Sequence, residues 1–249
     1  AKVVNVIGYT APSPNYTISQ PTGLTASITA APLTITGVTA NTKVYDGNTT
    51  ATLSGTPSYV GLQNGEAFTV TGTPVATFAS SSVGTEKVVT VTDYTAPNSN
   101  YTVSQPTGLT ANITQATLTV IATPQSKTFG GTVSTLGTLN TNYTVNGLQG
   151  TDAISGATLG YSGTPSGNLA TASVGSYVIT PSALTLSSGL LSNYNVTYNT
   201  GTLNVNPALL TVTGLTAKNK VYDGTTTATL SGTAAYSGLQ NGEIVTVTG

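Results

Sequence analysis

The pentapeptide Lys-Val-Tyr-Asp-Gly stands at residues 43–47 and recurs, letter for letter, at residues 220–224. From Lys43 to Lys220 the offset is 177 positions, and the same offset aligns residues 33–72 with residues 210–249. Similarity at one fixed offset is the signature of a repeat protein. The chain is therefore predicted to be an array of similar modules.

A second internal alignment completes the repeat. From Lys2 to Lys87 the offset is 85 positions, and it aligns residues 2–28 with residues 87–113. The chain thus begins and ends within a repeat, as expected of a portion of a longer array. We predict four segments: residues 1–31, the C-terminal part of one repeat; residues 32–116, a complete repeat; residues 117–207, a diverged relative; and residues 208–249, the N-terminal part of a further repeat.

The diverged block keeps recognisable features of the repeat. Lys-Thr-Phe-Gly-Gly at residues 127–131 takes the place of the pentapeptide. Gly-Leu-Gln-Gly at residues 147–150 corresponds to Gly-Leu-Gln-Asn-Gly at residues 61–65, and the pair Asn193-Tyr194 precedes the closing strands. These matches indicate a related module rather than a linker.

Lys-Val-Tyr-Asp-Gly followed by Thr-rich strands, with an interposed Lys-Thr-Phe-Gly block, resembles the YDG and MBG (YGX-type) repeats of very large secreted bacterial adhesins of the filamentous-haemagglutinin kind. The resemblance covers essentially the whole chain. Phe129 departs from it, because the short motif of the family has Tyr there. The resemblance implies a tandem stalk that is exported to the bacterial cell surface, the medium or a biofilm matrix.

The composition excludes several kinds of function. Charged residues are only 5% of the chain, and the net charge is −1. Six scattered Lys residues do not form the basic cluster that nucleic acid requires. The chain has no Cys, His or Met, which removes the usual soft-metal ligands, and no apolar run is long enough to span a bilayer. We expect no cofactor, no nucleic-acid partner and no membrane span in this segment.

Apolar residues alternate with Thr, a pattern typical of half-buried strands. The fold class expected is all-β: a tandem array of small, immunoglobulin-like β-sandwich modules in an extended rod. The residues expected in the cores are Leu33, Ile35, Val89 and Val91 and their repeat counterparts Leu210, Val212, Val4 and Val6. The alternative, a β-grasp-like module, needs a longer helix than the single turns possible at residues 62–66 and 148–154. The strands of the complete repeat are predicted at residues 33–38, 51–54, 67–72, 75–78, 87–92, 101–104 and 111–114.

The pentapeptide is expected to form a structural turn. Glycine is suited to a positive φ, aspartate to bonding nearby backbone amides, and the tyrosine ring to packing on a sheet. The lysine before the turn is expected to face solvent and to protect a strand edge from pairing. The residues assigned to this turn are Lys43, Tyr45, Asp46, Gly47, Lys220, Tyr222, Asp223 and Gly224.

Two chemical alternatives for the turn are compatible with the sequence. A calcium site at Asp46 needs further carboxylates, and the nearest acid, Glu66, is 20 residues away. Lys43 beside an asparagine could form an internal isopeptide crosslink. An enzyme is not expected, because Ser and Thr nucleophiles need a positioned base, and none is recognisable. No catalytic or metal-binding residue is predicted.

Asparagine followed by any residue and then Ser or Thr is the acceptor pattern for glycosylation. Thr is so abundant that chance alone produces such sites. The candidate glycosylation residues are Asn15, Asn48, Asn100, Asn112, Asn142 and Asn195.

The resemblance implies a structural protein located outside the cell, and the repeats suggest neighbouring copies of the same repeat or chain as partners. The first hypothesis is the stalk of an adhesin or matrix protein. The second is a subunit of a filament in which the partial repeats are completed by strands of another chain. The third is a module that binds host or matrix polysaccharide, which an exposed cluster among the 13 Tyr residues would favour.

Overall fold

The computed structural model describes residues 1–248, which form β-strands and one turn of 3-10 helix, Leu191–Asn193. The prediction of an all-β chain is confirmed. The strands are β1 (Lys2–Val3), β2 (Thr25–Ala26), β3 (Ala31–Ala40), β4 (Lys43–Val44), β5 (Thr50–Ala51), β6 (Leu53–Val60), β7 (Thr71–Phe78), β8 (Gly84–Thr95), β9 (Tyr101–Ser104), β10 (Thr110–Thr114), β11 (Ala116–Ala122), β12 (Gln125–Thr128), β13 (Leu136–Gly137), β14 (Tyr143–Asn146), β15 (Ala153–Tyr161), β16 (Gly175–Ser188), β17 (Tyr194–Asn199), β18 (Gly201–Asn206), β19 (Thr211–Ala217) and β20 (Leu230–Ser237).

The chain divides into two compact units that do not follow sequence order. The first unit contains Ala1–Lys43 and Asn48–Ile113. The second unit contains the chain from Thr114 onward and also the short segment Val44–Gly47. The Tyr-Asp-Gly part of the first motif therefore belongs to the second unit, although its flanking residues belong to the first.

The first unit contains a three-stranded sheet of order β6-β3-β9 and a sheet of order β4-β10-β8-β7-β5. β3 pairs with β9 in parallel and with β6 in the antiparallel direction. Leu33 and Ile35 of β3 and Val89 and Val91 of β8 are all buried. Thr residues alternate with them on the outer face, so the predicted inward-facing set is confirmed in the complete repeat. It is wrong for the partial repeats, where the counterparts Val4, Leu210 and Val212 are exposed.

The strands of the complete repeat differ from the prediction at several places. β4 was not predicted, and the predicted strand at residues 51–54 is divided between β5 and β6, which belong to different sheets. Residues 67–70 lie outside the strands, and β7 is a single strand where two were predicted. Its pairing with β8 shifts register between Gly72 and Val75. Gly72 has a φ of +115°, and a Cβ there would lie 2.9 Å from Cα of Tyr94. The irregularity interrupts the period-2 pattern, and this explains why the sequence suggested two short strands.

The second unit repeats this arrangement. Its three-stranded sheet has the order β14-β11-β17 and its five-stranded sheet the order β12-β18-β16-β15-β13. Ala122 of the first sheet packs with Leu159, Ile179 and Leu203 of the second in a shared buried cluster. β11 pairs with β17 in parallel, and so does β12 with β18. The immunoglobulin sandwich is built mainly from antiparallel pairs, so these parallel pairs differ from its usual pattern; the sandwich and rod arrangements stay predictions.

The helical turns considered for residues 62–66 and 148–154 are hydrogen-bonded turns instead of helix. Among residues 1–248 the longest helix has three residues, so the longer helix that the β-grasp alternative needs is not present there. No helix in this part of the chain has the length and apolar character needed to cross a membrane.

The two copies of one core position provide a matched test of packing. Leu33 is fully buried, whereas its counterpart Leu210 is 43% exposed. We expect Leu33→Ala to lower the free energy of unfolding by about 2–5 kcal/mol, because it removes buried methyl groups and leaves a cavity. Leu210→Ala is expected to cost less than half as much in urea denaturation followed by circular dichroism. Equal losses would contradict the assigned core.

Candidate functional site

The first motif turn, residues 43–47, is fastened by its lysine. Nζ of Lys43 donates hydrogen bonds to the backbone oxygen of Asn48 at 2.8 Å and to its Oδ1 at 3.0 Å. The same Oδ1 accepts the N–H of Thr50 at 2.9 Å. Gly47 has a φ of +81°, a conformation that glycine adopts without steric cost. The side chain of Lys43 thus connects the start of the turn to Asn48, which follows it.

The motif turn at residues 220–224 is built in the same way. Nζ of Lys220 donates to the backbone oxygen of Thr225 at 2.9 Å and forms an ion pair with Asp223 at 2.8 Å. Oδ1 of Asp223 accepts the N–H of Thr225 at 3.0 Å, and Gly224 has a φ of +72°. The hydrogen bond from the Lys220 ammonium, together with those from Thr225, lowers the pKa of the Asp223 carboxyl.

The diverged motif turn, residues 127–131, has the most enclosed lysine of the three. Nζ of Lys127 donates to the carbonyl oxygens of Gly131, at 2.9 Å, and of Leu169. The side chain is buried, and this burial lowers the pKa of its ammonium group. The expectation of a solvent-facing lysine that guards a strand edge is therefore wrong for Lys127, because its charge is satisfied by backbone carbonyls inside the unit.

The ring of Tyr45 lies in a buried site of the second unit. Tyr45 is only 5% exposed, and its ring meets the ring of Tyr194 edge to face, with centroids 5.4 Å apart. The Tyr45 phenol donates to Oδ2 of Asp152 at 3.0 Å, and the Tyr194 phenol donates to the same oxygen at 2.6 Å. One carboxylate oxygen therefore accepts both phenols.

Asp152 is positioned by a compact turn at residues 147–152. Its N–H donates to the carbonyl of Gln149 at 3.1 Å. The N–H of Gln149 in turn donates to the Tyr194 phenol oxygen at 3.0 Å, and its side-chain amide donates to the carbonyl of Gly147 at 3.2 Å. The turn and the Tyr194 phenol thus hold each other in place.

The site keeps both phenols protonated. Burial raises the pKa of Tyr194 well above its usual range, and the hydrogen bond to Asp152 raises it further. Burial and then the Asp152 hydrogen bond also raise the pKa of Tyr45. The buried side chain of Asn193 hydrogen-bonds the Tyr45 phenol as well. Two phenols therefore donate to one carboxylate oxygen. This arrangement is suited to holding the side chains together rather than to transferring a proton.

The backbones of two turns approach closely beside this site. A Cβ added to Gly47 would lie 3.0 Å from Cα of Gly150, and Gly47 has a positive φ as well. Tyr45 also donates its N–H to the carbonyl of Thr114 at 2.8 Å. The small glycine after Tyr-Asp therefore lets the ring enter far enough to reach Asp152.

The diverged motif meets a similar turn later in the second unit. Phe129, in the place of Tyr45, lines a pocket of about 150 Å³ together with Gln240 and Glu243. Its N–H donates to the carbonyl of Asn206 at 2.8 Å, matching the Tyr45 bond to Thr114. Nδ2 of Asn241 donates to the carbonyl of Ala170 at 3.0 Å. The ring of Phe129, from the diverged motif turn, thus lies at the turn that contains Gln240 and Glu243.

Three turns of the Gly-Leu-Gln type share one geometry, and we name them acidic turns: residues 61–66, 147–152 and 238–243. In each, the N–H of the acid donates to the carbonyl of the glutamine at 3.0 or 3.1 Å. The sequence patterns indicated the correspondence of residues 61–65 with residues 147–150, but they gave no role to the acids of these turns, and Asp152 and Gln149 were missed. The available signal was the acid that follows each glutamine by three positions.

The candidate glycosylation sites differ in exposure. Asn112 and Asn142 are half-buried; Oδ1 of Asn112 accepts the N–H of Glu86 at 2.8 Å, and Oδ1 of Asn142 accepts the N–H of Thr138 at 2.9 Å. Glycosylation stays a prediction, and so does the isopeptide alternative at Lys43. Residues 1–248 contain no group of three His, Cys, Asp or Glu side chains placed to hold a metal. The exposed candidates are Asn15, Asn48, Asn100 and Asn195.

Models of two domain families match the chain. The YDG domain matches residues 29–108 and 206–249, and the MBG domain (YGX type) matches residues 118–204. Each matched stretch contains one motif turn followed by one acidic turn. Curated proteins and solved structures gave no match.

Removing one phenol tests the shared carboxylate. We expect Tyr45→Phe to lower the free energy of unfolding by about 1.5–3 kcal/mol, the usual worth of a hydrogen bond to a charged group. Tyr222→Phe is the matched control, because Tyr222 has the same motif position but is 93% exposed. Its change is expected to stay within about 0.5 kcal/mol in urea denaturation. Similar losses in both variants would count against the site.

Alkaline pH provides a second test. The folded state holds the protons of Tyr45 and Tyr194 more tightly than the unfolded state does, because both pKa values are raised. Their contribution to stability is therefore present below pH of about 10 and is lost as the pH rises from there through the folded pKa values. The double variant Tyr45→Phe with Tyr194→Phe should lose less stability between about pH 9 and pH 11 than the wild type.

Thermal denaturation at a series of pH values measures this difference. Tyr222→Phe again serves as the control and is expected to keep the wild-type alkaline loss. An unchanged pH dependence in the double variant would show that other groups dominate alkaline unfolding.

Proposed function

The chain is composed of YDG domains and an MBG domain of the YGX type, and we propose that it is a structural stalk segment of a secreted bacterial surface adhesin or matrix protein. In this role the domains provide reach, and a different part of the parent protein binds the target. The site is a connector and performs no reaction. Extracellular location and the repeat boundaries at residues 32–116 and 117–207 are parts of the same proposal.

The observation that carries the proposal is the placement of the motif rings. Tyr45 belongs to one sequence repeat, and the acidic turn that receives it belongs to the following repeat. Phe129 of that second repeat lies at the acidic turn of the third. A side-chain connection of this kind adds to the peptide bond between successive repeats, and a repeat array is stabilised by such nearest-neighbour contacts.

The chemistry of the connector suits a mechanical role. The phenols of Tyr45 and Tyr194 are buried and share a charged acceptor, so separation of the ring would leave polar groups without partners. Buried polar groups that lose their partners cost about 1–3 kcal/mol each. Resistance to separation is what a stalk requires.

A second candidate function, the subunit of a filament completed by strand exchange, is supported by the strands near the C-terminus. β19 and β20 form a two-stranded sheet in which every residue of β19 is exposed. Exposed strand edges can accept a strand from another chain. The polysaccharide alternative has less support, since six of the 13 tyrosines belong to the buried core: Tyr45, Tyr59, Tyr94, Tyr101, Tyr143 and Tyr194.

Small-angle X-ray scattering at low protein concentration tests the stalk. A compact protein of 249 residues has a radius of gyration of about 18 Å. We expect a clearly larger value and a rod-like profile for the wild type. Tyr45→Ala is expected to widen the distribution of particle dimensions, because it removes the connecting ring, whereas Tyr222→Ala should leave it unchanged. A radius near the compact value would contradict the stalk.

A further inference from the structure

The acidic turn of the first unit, residues 61–66, is assembled like the one that receives Tyr45. The phenol of Tyr101 donates to the carboxylate of Glu66, as Tyr194 does to Asp152. The N–H of Gln63 donates to the Tyr101 phenol oxygen at 3.0 Å, the same distance as from Gln149 to Tyr194. Each repeat therefore builds the acceptor from its own residues.

An open pocket of about 270 Å³ lies at this turn. It is lined by Thr29, Glu66, Asn100 and Tyr101, among other residues. The repeat alignment places them on Thr114, Asp152, Asn193 and Tyr194 respectively. Those four residues are the backbone acceptor, the carboxylate, the amide and the ring that contact Tyr45. The pocket thus has every group of the Tyr45 site, and none of the residues that line it belongs to a motif turn.

One motif turn of the described chain has an exposed ring. Tyr222 is 93% exposed, although the turn around it is fastened by Lys220 and Asp223 as described above. Gly224 has a φ of +72°, close to the +81° of Gly47. The glycine of this turn thus has the same positive-φ conformation as in the bound motif, while the Tyr222 ring has no buried site.

We propose that the pocket at Glu66 and Tyr101 is a receptor for the Tyr-Asp-Gly turn at residues 222–224 of a second copy of this chain. The Tyr222 phenol donates to the Glu66 carboxylate, its ring packs edge-on against Tyr101, and its N–H donates to the Thr29 carbonyl. Donor and receptor are formed by different residues, so the contact is heterologous, and each chain can take part in one contact through each of them. This inference rests on the connector role proposed for the motif turn.

Two differences between the pockets are compatible with this occupant. Asn64 stands where the Tyr45 site has Gly150, but the third acidic turn has Asn241 at that position and still lies beside Phe129. The ring of Phe68 meets that of Tyr101 with centroids 6.4 Å apart and is 39% exposed. It adds apolar surface for an incoming ring. The contact is small, so we expect weak association that is visible only at high concentration.

Sedimentation velocity with paired variants tests the proposal. The wild type should form oligomers as its concentration rises. The Tyr222→Ala variant lacks the donor ring, and the Glu66→Ala variant lacks the acceptor carboxylate. Both positions are exposed, so we expect both variants to fold. Each variant alone should associate at least about tenfold more weakly than the wild type, the equivalent of 1.4 kcal/mol. The Tyr222→Ala variant keeps the receptor pocket, and the Glu66→Ala variant keeps the donor tyrosine. An equal mixture of the two should therefore form one-to-one dimers that do not grow.

Several results would overturn the receptor. They are a wild type that stays monomeric at millimolar concentration, a Tyr222→Ala variant that associates like the wild type, and a mixture that forms no dimer. Association that survives Tyr222→Ala would indicate strand exchange instead. Tyr16→Ala, which changes another exposed tyrosine, should leave association unchanged. The small-angle X-ray scattering experiment tests the stalk proposal at low concentration, where the protein is mainly monomeric. The stalk proposal and the receptor proposal can therefore fail separately.

Discussion

One carboxylate oxygen, Oδ2 of Asp152, accepts hydrogen bonds from two buried phenols, and the arrangement of the second unit depends on it. A buried tyrosine needs a partner for its hydroxyl, and Tyr45 and Tyr194 find the same one. Because the acceptor belongs to a turn that also bonds Tyr194 through Gln149, the ring of Tyr45 enters a site that is already ordered. This explains why Val44–Gly47 lies with the second unit rather than with its sequence neighbours.

The few charges of the chain are concentrated in these two kinds of turn. Of seven acids, Glu66, Asp152 and Glu243 occupy the acidic turns, and of six lysines, Lys43, Lys127 and Lys220 fasten the motif turns. In an ordinary soluble domain such residues mostly cover the surface. Here the outer faces are Thr and Ser, so a charged side chain is placed where a turn needs a strong donor or acceptor. Although charged residues are few, about half of them stabilise turns instead of covering the surface.

The repeats, the all-β class and the inward-facing residues could be predicted from the sequence because they depend on local patterns. Leu33 and Ile35 alternate with Thr, and this period is visible in a few residues. The parallel pairing of β3 with β9 could not be predicted, since it joins strands that are far apart in the chain. The Tyr45 site was missed for the same reason. Tyr45 was expected to pack on a sheet, but its partner Asp152 lies 107 positions later.

Two of the acidic turns show which partner of the acid belongs to its own repeat. Glu66 and Asp152 each accept the tyrosine of their own repeat, whether or not a motif ring is present beside them. The first partner of the acid is therefore internal, and the motif ring is a second partner. Phe129 has no hydroxyl and can offer Glu243 only an apolar neighbour. A Tyr at this motif position therefore adds a directional hydrogen bond to the acid, as Tyr45 does to Asp152, and Phe129 cannot make that bond.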